Sequence, residues 1–454
     1  MKNLGIEEFY GIYSQQCEGV STDSRNIHAG CMFFALRGET FNGNAFALAA
    51  LEAGAAFAVV DEPQIEEANP QQVILVDDTL AALQQIARYH RRQFRIPIVA
   101  LTGTNGKTTT KELIAACLRK SYNVVATEGN LNNHIGVPLT LLRLNKDTRA
   151  AVIEMGASNP GEIDLLAQIV CPSFGLVTNV GKAHLQGFGS LEGVMATKGE
   201  LYDNLQAHRK IAFVNVDNPL LREMADKRQT MQIVPYGLQN DGARAEVREG
   251  TPFLTVTMPN PCFMAVEQEG QPERISIKTN LIGLYNADNV LAAMCVATHM
   301  GIAAEQAVAA IEEYVPSNNR SQLANTGRNS LIIDAYNANP TSMRAAIENF
   351  AILQMPGKVL LLGDMLELGE DSVQEHVGIL SLAVQKGFSE IYLVGGEFAQ
   401  AAALLAEKNM TVQPHLFADS VQLKQHLQEN PLAGRSILIK GSRGKRLERA
   451  IEAL

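Results

Sequence analysis

Residues 96–118 read IPIVALTGTNGKTTTKELIAACL, and this stretch decides the interpretation of the fold. It begins with an apolar run that ends at Gly103 and continues in a helical pattern after Gly106. A short apolar run bounded by glycine predicts a buried strand, and the spacing of the apolar residues behind it predicts a helix. The sequence therefore predicts a strand, a tight glycine-containing loop and a helix, in that order.

The loop at 103–108, GTNGKT, combines residue types that bind phosphate. Glycines let backbone N–H groups turn toward phosphate oxygens, and the following helix adds its positive N-terminal end. Lys107 can reach terminal phosphates, and the Thr108 hydroxyl can bind Mg²⁺. The usual spacing would need a glycine at Leu101, so the loop is shortened, and a glycine-rich turn with a surface lysine is the alternative. The position between a strand and a helix favours nucleotide binding.

Strand and helix patterns continue beyond this loop. Apolar runs at 150–156, 174–181 and 210–216 are separated by helical patterns, and the same alternation resumes after 316–322, PSNNRSQ, which has linker composition. Such alternation predicts mostly parallel sheets with helices on both faces. Residues 244–280 alternate apolar and polar positions instead, which predicts an antiparallel excursion at one edge of the sheet.

The predicted fold class is α/β, and the pattern changes near residue 96 and again at 316. We therefore expect three domains: a small α/β N-terminal domain (1–95), a central domain of P-loop type with a mostly parallel sheet and helices on both faces (96–315), and a C-terminal Rossmann-like domain with a doubly wound sheet (316–454).

Length and composition exclude several other classes. The chain has 454 residues, a formal charge of −10 and 46% hydrophobic residues. It is not disordered throughout, and it lacks the excess of basic residues that sequence-independent nucleic-acid binding needs.

We expect no membrane span and no secretory signal, because no apolar run reaches about 18 residues and MKNLGIEEFY has no long apolar core. Six cysteines without a CxxC pair predict reduced, buried thiols in a cytoplasmic protein and no metal binding through sulfur.

Five polar residues of the central domain are candidates for a site. Glu154 in AVIEMGAS and His184 in a glycine-rich loop both follow predicted strand ends, the edge where ligands collect in open α/β sheets. A helix-capping glutamate and a structural histidine are the alternatives. Lys198 lies on a predicted helix, where a lysine is ordinarily solvated. Asn286 and Asn289 are three residues apart on one side of a helix start, and Asn286 could also cap that helix.

Several of these stretches resemble the motifs of one family. LTGTNGKTTT (101–110), AVIEMGAS (151–158), TNVGKAHL (178–185) and ATKGE (196–200) are similar to motifs of the Mur ligase superfamily. Its members join an amino group to a carboxylate at the expense of ATP, and folylpolyglutamate synthetases share the superfamily. Further blocks extend the resemblance over essentially the whole chain: TDSRNIHAGCMFFALRGETFNGNAF (22–46), EGNLNNHIGVP (128–138), LYNADNVLAA (284–293), DAYNANPTSM (334–343), LLLGDMLELG (360–369) and LIKGSRG (438–444).

The resemblance is strongest to the branch of the family that adds D-alanyl-D-alanine. It implies an ATP- and Mg²⁺-dependent ligase that joins this dipeptide to the tripeptide carboxylate of UDP-N-acetylmuramoyl-tripeptide through an acyl phosphate. The tripeptide can end in diaminopimelate or lysine. We expect a cytoplasmic monomer of peptidoglycan precursor synthesis that binds no nucleic acid. Another ligase of the superfamily, or a nucleotide-binding switch or kinase without ligase activity, is the rival interpretation.

The resemblance also assigns a ligand to each domain: the UDP substrate to 1–95, ATP to 96–315 and the incoming dipeptide to 316–454. It further assigns roles to individual residues. Catalysis is assigned to Lys107, Glu154, His184, Lys198 and Arg320. ATP binding is assigned to Gly103, Thr104, Asn105, Gly106, Lys107, Thr108, Thr109, Asn286, Asn289, Arg320 and Asp334. Mg²⁺ is assigned to Thr108, Glu154, His184 and Lys198, the last as a carbamate. Substrate binding is assigned to Ser24, Arg25, Asn42, Asn44, Asn130, Asn132, Asn133, Asn337 and Asn339.

Two stretches depart from the family pattern. Asn318-Asn319-Arg320 stands where Pro-Gly-Arg is frequent, and the arginine that the resemblance assigns to the γ-phosphate is present as Arg320. Asn42-Gly43-Asn44 stands where aspartate and histidine are frequent around the glycine, and neutral amides can still donate and accept hydrogen bonds.

Overall fold

The structure is a computed structural model that describes residues 4–260, 273–317, 319–407 and 412–454. Cys262 and Asn318 lie outside these residues. The described part of the chain builds four sheets, of which three are entirely or largely parallel and covered by helices. This architecture confirms the predicted α/β class.

The first sheet is parallel and small, with strand order β1-β2-β3-β4. Its strands are β1 (Val20–Ser21), β2 (Met32–Phe34), β3 (Phe57–Val60) and β4 (Val73–Leu75), and its helices are α1 (Ile6–Gln16), α2 (Ala47–Glu52), α3 (Pro63–Ala68) and α4 (Thr79–Arg92). A 3₁₀ turn at Gly43–Phe46 precedes α2. Asp78 caps α4 by accepting a hydrogen bond from Ala81 N at 2.8 Å.

The central sheet is parallel, with order β10-β9-β8-β5-β7-β6. Its strands are β5 (Ile98–Thr102), β6 (Val124–Ala126), β7 (Ala150–Glu154), β8 (Phe174–Val177), β9 (Ile211–Asn215) and β10 (Gln232–Tyr236). The helices around it are α5 (Lys107–Leu118), α6 (Gly136–Leu141), α7 (Glu162–Val170), α8 (Leu185–Phe188), α9 (Leu191–Ala207), α10 (Pro219–Asp226), α11 (Ala287–His299) and α12 (Ala304–Glu313). A 3₁₀ turn at Leu284–Asn286 leads into α11.

Strand β5 shows why helices cover both faces of this sheet. It lies between β8 and β7, and all five of its residues are buried. Ile98 and Ala100 belong to one hydrophobic core, whereas Val99 and Leu101 belong to the other. Because successive side chains point to opposite faces, a strand buried on both faces must be apolar throughout.

The antiparallel segment corrects one prediction. Strands β11 (Arg244–Val247), β12 (Phe253–Pro259) and β13 (Arg274–Ile282) form a separate antiparallel sheet, not an edge of the central sheet. Its apolar face packs against α11 and α12, since Val256 and Ile277 share a core with those helices. Part of the predicted segment, residues 261–272, lies outside the described residues.

The last sheet has the order β14-β15-β19-β16-β17-β18, and only its edge strand β14 is antiparallel to its neighbour. The strands are β14 (Gln322–Asn325), β15 (Ser330–Asp334), β16 (Lys358–Gly363), β17 (Ile391–Val394), β18 (His415–Phe417) and β19 (Ser436–Lys440), and the helices are α13 (Pro340–Ile352), α14 (Ser372–Gln385), α15 (Gly396–Ala406) and α16 (Ser420–Glu429). Short 3₁₀ segments occupy Gly369–Asp371, Arg443–Lys445 and Leu447–Ala453.

The N-terminal unit is joined to the central one by more than a linker. Phe9 of α1 and Leu83 of α4 lie in the same hydrophobic core as Ile163 of α7. His90 Nε2 is 2.9 Å from Leu144 O, and Arg91 Nε donates to Val170 O at 3.0 Å. Helix α4 therefore packs against α6 and α7, α1 packs against α4, and together they hold the small sheet at a defined place on the central unit.

Two further expectations can be compared with the structure. None of the described helices has both the length and the apolar composition that crossing a bilayer requires. The five cysteines within the described residues are free, but only Cys31 and Cys117 are buried. The prediction of buried thiols is therefore wrong for Cys17, Cys171 and Cys295, which are partly exposed.

Candidate active site between two sheets

A cavity of about 820 Å³ lies where the carboxyl ends of the central and last sheets face each other. This is the edge at which open α/β sheets bind ligands. Sixteen of the predicted site residues line it: Thr104, Asn105, Gly106, Lys107, Thr108, Thr109, Asn130, Asn132, Asn133, Glu154, His184, Asn286, Asn289, Arg320, Asp334 and Asn337. The structure places the others off its wall: Gly103, Lys198, Asn339, Ser24, Arg25, Asn42 and Asn44.

The phosphate loop forms the floor of the cavity. Gly106 has φ 78° and immediately precedes α5, so a residue with a Cβ would be strained there. A Cβ would also lie 2.6 Å from Asn289 Oδ1. The loop is tied to the segment after β8, because Asn105 N donates to Asn179 Oδ1 at 2.9 Å and Thr178 Oγ1 donates to Asn105 O at 2.6 Å. The result is a rigid turn with the N-terminus of α5 facing the cavity, which suits a phosphate chain.

Lys107 is not the surface lysine that the alternative interpretation of this loop requires. It is half-buried, and its Nζ donates to the carbonyl oxygens of Gly103 at 2.6 Å and Thr104 at 3.1 Å. Burial lowers the pKa of Lys107, Arg320 lowers it further, and Glu154 opposes both. The ammonium is thus folded back onto its own loop, from where it can turn to a phosphate.

Thr108 and Glu154 meet at the base of the loop. Thr108 Oγ1 donates to Glu154 Oε2 at 2.9 Å, and Asn132 Nδ2 donates to Glu154 Oε1 at 2.8 Å. The Glu154 residue is only 2% exposed, and both partners are neutral. Thr127, which sequence reasoning missed, accepts the Glu154 backbone N–H at 2.9 Å through its hydroxyl.

This pair fits Mg²⁺ by its chemistry. A carboxylate and a hydroxyl are hard oxygen donors, and Mg²⁺ usually takes one or two protein oxygens and completes its shell with water and phosphate oxygens. A buried carboxylate with neutral hydrogen-bond partners is also favourable only near positive charge. The described residues contain no cluster of three or more His, Cys, Asp and Glu side chains that could hold a metal by itself.

His184 stands above the loop in a left-handed conformation, with φ 50°. Its Nδ1 contacts the carboxylate of Glu367, a residue of the loop after β16 that sequence reasoning missed. Burial lowers the pKa of His184, and the charge of Glu367 opposes that shift. The structure thus brings His184 to the cavity together with an acid from the last sheet.

Lys198 is buried, contrary to the ordinary expectation for a helical lysine. The residue is 2% exposed on α9, and its Nζ is 3.3 Å from Ala157 O and 5.1 Å from the ring centre of Phe188. Burial lowers the pKa of Lys198 to about 7, and the nearby Lys107 charge contributes to the shift. Lys198 lies behind the cavity wall, and Ala157 forms the wall in front of it.

The two asparagines at the start of α11 are linked to each other. Asn289 Nδ2 donates to Asn286 Oδ1 at 2.7 Å, and Asn286 Nδ2 donates to Ile282 O at 2.8 Å. Thr110 Oγ1 donates to Asn289 Oδ1 at 2.9 Å. The amides therefore tie α11 to α5 while lining the cavity, and their assignment to ATP stays a prediction.

The opposite wall comes from the last sheet and the segment before it. The Arg320 guanidinium carbon lies 3.7 Å from the ring centre of Tyr336, within the range of a cation–π contact. Asp334, at the end of β15, accepts a hydrogen bond from the buried Lys440 at 2.6 Å. Tyr336 and Lys440 were missed, although both follow or end a predicted strand and stand in quoted motifs. Arg320 and Lys440 are thus two cationic groups of this wall, and the charge of Lys440 is paired with Asp334.

Three predicted substrate residues have structural partners. Asn133 Oδ1 accepts the Ile135 and Gly136 N–H groups just before α6. Asn339 caps α13 by accepting from Ser342 N at 2.9 Å, and its Nδ2 donates to Asn105 Oδ1 at 2.7 Å. Asn337 Oδ1 accepts from Ala338 N at 2.9 Å. Asn339 therefore bridges the phosphate loop and the last sheet, and its assignment to substrate stays a prediction.

The N-terminal candidates form a separate polar group. Asn44 is buried, donates to Asp61 Oδ1 at 2.7 Å and accepts from Asp61 N at 3.1 Å. Asn42 donates to Glu62 Oε1 at 2.7 Å. Arg25 is exposed and forms an ion pair with Asp23 at 2.8 Å. Both asparagine amides are engaged in the fold, so their predicted contact with uridine or sugar needs them to change partners.

Comparison with known proteins agrees with this architecture. Three family models match: "Mur ligase family, catalytic domain" at 16–91, "Mur ligase middle domain" at 101–297 and "Mur ligase, glutamate ligase domain" at 319–443. The chain belongs to the Mur ligase family, as its motifs indicated.

Individual relatives show which members of the family this chain is similar to. A UDP-N-acetylmuramoyl-tripeptide–D-alanyl-D-alanine ligase of Bacillus subtilis is 36% identical over 96% of this chain and 93% of its own length. A crystal structure of MurF from Acinetobacter baumannii is 30% identical over 95% of this chain and 92% of its own, with a TM-score of 0.83. The structure of MurF from Thermotoga maritima in complex with ADP is 25% identical over 96% of this chain and 97% of its own, with a TM-score of 0.81.

Proposed function

We propose that this chain joins D-alanyl-D-alanine to the tripeptide carboxylate of UDP-N-acetylmuramoyl-tripeptide at the expense of ATP, in peptidoglycan precursor synthesis. Relatives with that name match almost the full length of the chain. The observation that carries the proposal is the convergence of Lys107, Arg320 and the Thr108–Glu154 pair on one cavity. This set suits the transfer of a phosphoryl group to a carboxylate.

The reaction brings two anions together. The tripeptide carboxylate takes the γ-phosphoryl group of ATP and becomes an acyl phosphate, and the dipeptide amine then displaces phosphate. Lys107 and Arg320 offset the negative charge from two walls of the cavity, and the N-terminus of α5 adds its dipole. Residues of both sheets must hold the amine close and exclude water, which would hydrolyse the acyl phosphate.

Mg²⁺ is the metal that the donor set fits. Thr108 and Glu154 would hold it, and the ion would supply charge neutralisation at the phosphate oxygens. Asn132 and Thr127 orient Glu154 for this task. Asn132 Nδ2 donates to its carboxylate at 2.8 Å, and the Thr127 hydroxyl accepts from its backbone N–H at 2.9 Å. His184, whose Nδ1 contacts Glu367, would help to hold a second Mg²⁺.

Lys198 is assigned to the same second ion as a carbamate. A buried ammonium close to Lys107 and to a cation is unfavourable, so the neutral amine is preferred. A neutral amine adds CO₂ and loses a proton, and the carbamate that results offers anionic oxygens to a hard cation. The burial of Lys198 and its long hydrogen bond of 3.3 Å to Ala157 O support this assignment.

The remaining assignments concern the substrates. The N-terminal unit would bind the uridine nucleotide through Ser24, Arg25, Asn42 and Asn44, and the last unit would bind the dipeptide, with boundaries at 95/96 and 315/316. Asn130, Asn132, Asn133 and Asn337 line the cavity where the tripeptide end must reach. We place the enzyme in the cytoplasm, where ATP is available, as a monomer.

The test is substrate-dependent release of ADP. The purified chain is incubated with ATP, Mg²⁺ and UDP-N-acetylmuramoyl-tripeptide, with or without D-alanyl-D-alanine. We expect ADP release to require both substrates and to yield the pentapeptide product by mass spectrometry. ADP release with a single amino acid in place of the dipeptide would indicate another ligase of the family, and release without any amine acceptor would favour a switch or kinase.

A competition experiment addresses the third residue of the tripeptide. Equal amounts of the diaminopimelate- and lysine-terminated substrates are offered with D-alanyl-D-alanine, and the two products are distinguished and quantified by mass spectrometry. The preferred product identifies the natural tripeptide of this enzyme.

A further inference from the structure

The contact between His184 and Glu367 joins two parts of the molecule at the edge of the cavity. His184 follows β8 of the central sheet, and Glu367 follows β16 of the last sheet, 183 residues further along the chain. His184 lines the cavity, whereas Glu367 contacts His184 without lining the cavity itself. The side chains are 30% and 57% exposed, so the pair lies at a boundary and not in a core.

Both residues adopt an unusual backbone conformation to make this contact. His184 has φ 50° and Glu367 has φ 64°, which L-residues with a side chain rarely adopt. Such outliers persist only where the surroundings impose them, and they concentrate at functional sites. Gln186 N lies 3.5 Å from Glu367 O, so the two backbones also approach each other here.

The chemistry of the pair determines which nitrogen of His184 carries the proton. An ionised carboxylate only accepts hydrogen bonds, so Nδ1 must be the donor to Glu367. In a neutral imidazole this leaves Nε2 as the acceptor, and no hydrogen bond engages Nε2 within the described ranges. A carboxylate that fixes the outer nitrogen of a histidine is a common way to orient a ligand toward a cation.

We propose that Glu367 is a positioning residue, which holds His184 as its Nδ1–H tautomer with Nε2 presented to the phosphate end of the cavity. Because Glu367 belongs to the last sheet, the orientation of His184 depends on the docking of that sheet onto the central one. The cavity is thereby completed for reaction only when both walls are in place. Only the kinetic test of this proposal depends on the proposed function, because the NMR test reads the histidine ring directly.

A second contact at the same boundary provides a matched control. Lys182 Nζ, in the segment after β8, and Glu375 Oε1, on α14, form an ion pair at 2.7 Å across the same boundary, without touching His184. Removing Glu375 therefore weakens the boundary by one ion pair but leaves the tautomer of His184 unaffected. If Glu367 only helped to hold the boundary, the two substitutions would have similar effects.

The first experiment reads the tautomer directly. Protein labelled with ¹⁵N in its nine histidines is examined by NMR, and the His184 ring signals are assigned by comparison with His184→Gln. We expect a protonated Nδ1 and an unprotonated Nε2 in the natural chain and in Glu375→Ala. Glu367→Ala should shift the ring toward the Nε2–H tautomer. Unchanged ring shifts in Glu367→Ala would overturn the proposal.

The second experiment reads the reaction. Glu367→Ala should lower kcat by about tenfold or more, the range typical of lost outer partners of a ligand. Glu367→Gln should recover part of the rate, because its amide oxygen still accepts from Nδ1–H, and Glu375→Ala should stay within about twofold. In a His184→Gln background, Glu367→Ala should have no further effect.

The outcomes separate this proposal from the proposed function. Equal losses in Glu367→Ala and Glu375→Ala, or additive losses with His184→Gln, would overturn the positioning role. If the natural chain lacks ligase activity, the proposed function fails, while the ring nitrogens still report whether Glu367 sets the tautomer.

Discussion

At the scale of single residues, Lys107 carries the clearest expectation. We predict that Lys107→Ala abolishes turnover and leaves the fold intact. Among the described residues, the ammonium donates to two carbonyl oxygens of its own loop and to no other group, so its loss costs the fold little. A charge-assisted contact to phosphate in a water-poor cavity is worth several kcal/mol, or about a thousandfold or more in kcat. Steady-state kinetics and thermal unfolding measure the two effects.

Lys120→Ala is the matched control for that substitution. Lys120 lies just beyond the other end of α5 and pairs with Glu313 on the surface, so removing its charge should leave kcat unchanged. A near-normal kcat in Lys107→Ala would remove Lys107 from the mechanism.

Lys198 yields a second prediction at this scale. Lys198→Arg keeps a positive charge but cannot form the carbamate, so we expect the variant to be nearly inactive while it still folds. With ¹³C-labelled bicarbonate, the natural chain should show a carbamate carbon signal in NMR that Lys198→Arg lacks. Lys182→Arg, an exposed lysine near the same cavity, serves as the control and should keep both signal and activity. An active Lys198→Arg enzyme, or a bare ammonium in density of the ATP-bound enzyme, contradicts the assignment.

At the scale of elements, the turn into α5 depends on one glycine. Gly106→Ala places a side chain at φ 78° and a Cβ 2.6 Å from Asn289 Oδ1, so the loop must move away from α11. We expect ATP-analogue binding in calorimetry to weaken at least about tenfold, because the loop N–H groups no longer converge. Gly301→Ala is the control, since Gly301 has φ 85° with open space around it. It should lose some stability but bind the analogue normally.

Among the elements, apolar central strands were predictable and the more polar edge strands β10 and β18 were not. The runs at 150–156 and 210–216 became β7 and β9 because both faces of a central parallel strand are buried and the sequence must be apolar. The edge strands β10 and β18 carry exposed residues such as Gln232 and His415. Their pairing depends on a neighbour that the local sequence does not contain, so no pattern marked them.

At the scale of the whole molecule, the N-terminal unit is expected to bind its substrate independently of ATP. We predict that Arg25→Ala raises KM for the UDP substrate and leaves KM for ATP unchanged, because Arg25 is exposed on the small sheet and does not line the cavity. Initial rates with each substrate varied in turn measure both constants.

Arg222→Ala is the corresponding control. Arg222 is an exposed arginine on α10, paired weakly with Asp226 at 4.0 Å, and its removal should change neither constant. A rise in KM for ATP alone in Arg25→Ala would refute the assignment of the uridine nucleotide to the N-terminal unit.

The sequence by itself determined the α/β class, the order of the three units and the turn between β5 and α5, since each depends on local pattern: apolar runs, glycine at a turn and a lysine at a helix start. It also marked Glu154 and His184, because acids and histidines at strand ends lie at the binding edge. The family was recognisable from motifs spread along the chain.

Only the tertiary structure decided which distant residues meet. Glu367 reaches His184, Tyr336 stacks on Arg320, and Thr127 accepts the Glu154 N–H, although nothing in the spacing of these residues predicts it. The burial of Lys198 also depends on the tertiary structure, because a helical lysine is solvated unless another element covers it. Such contacts depend on how sheets and loops pack in space, and the local chain carries no signal of a partner far away in sequence.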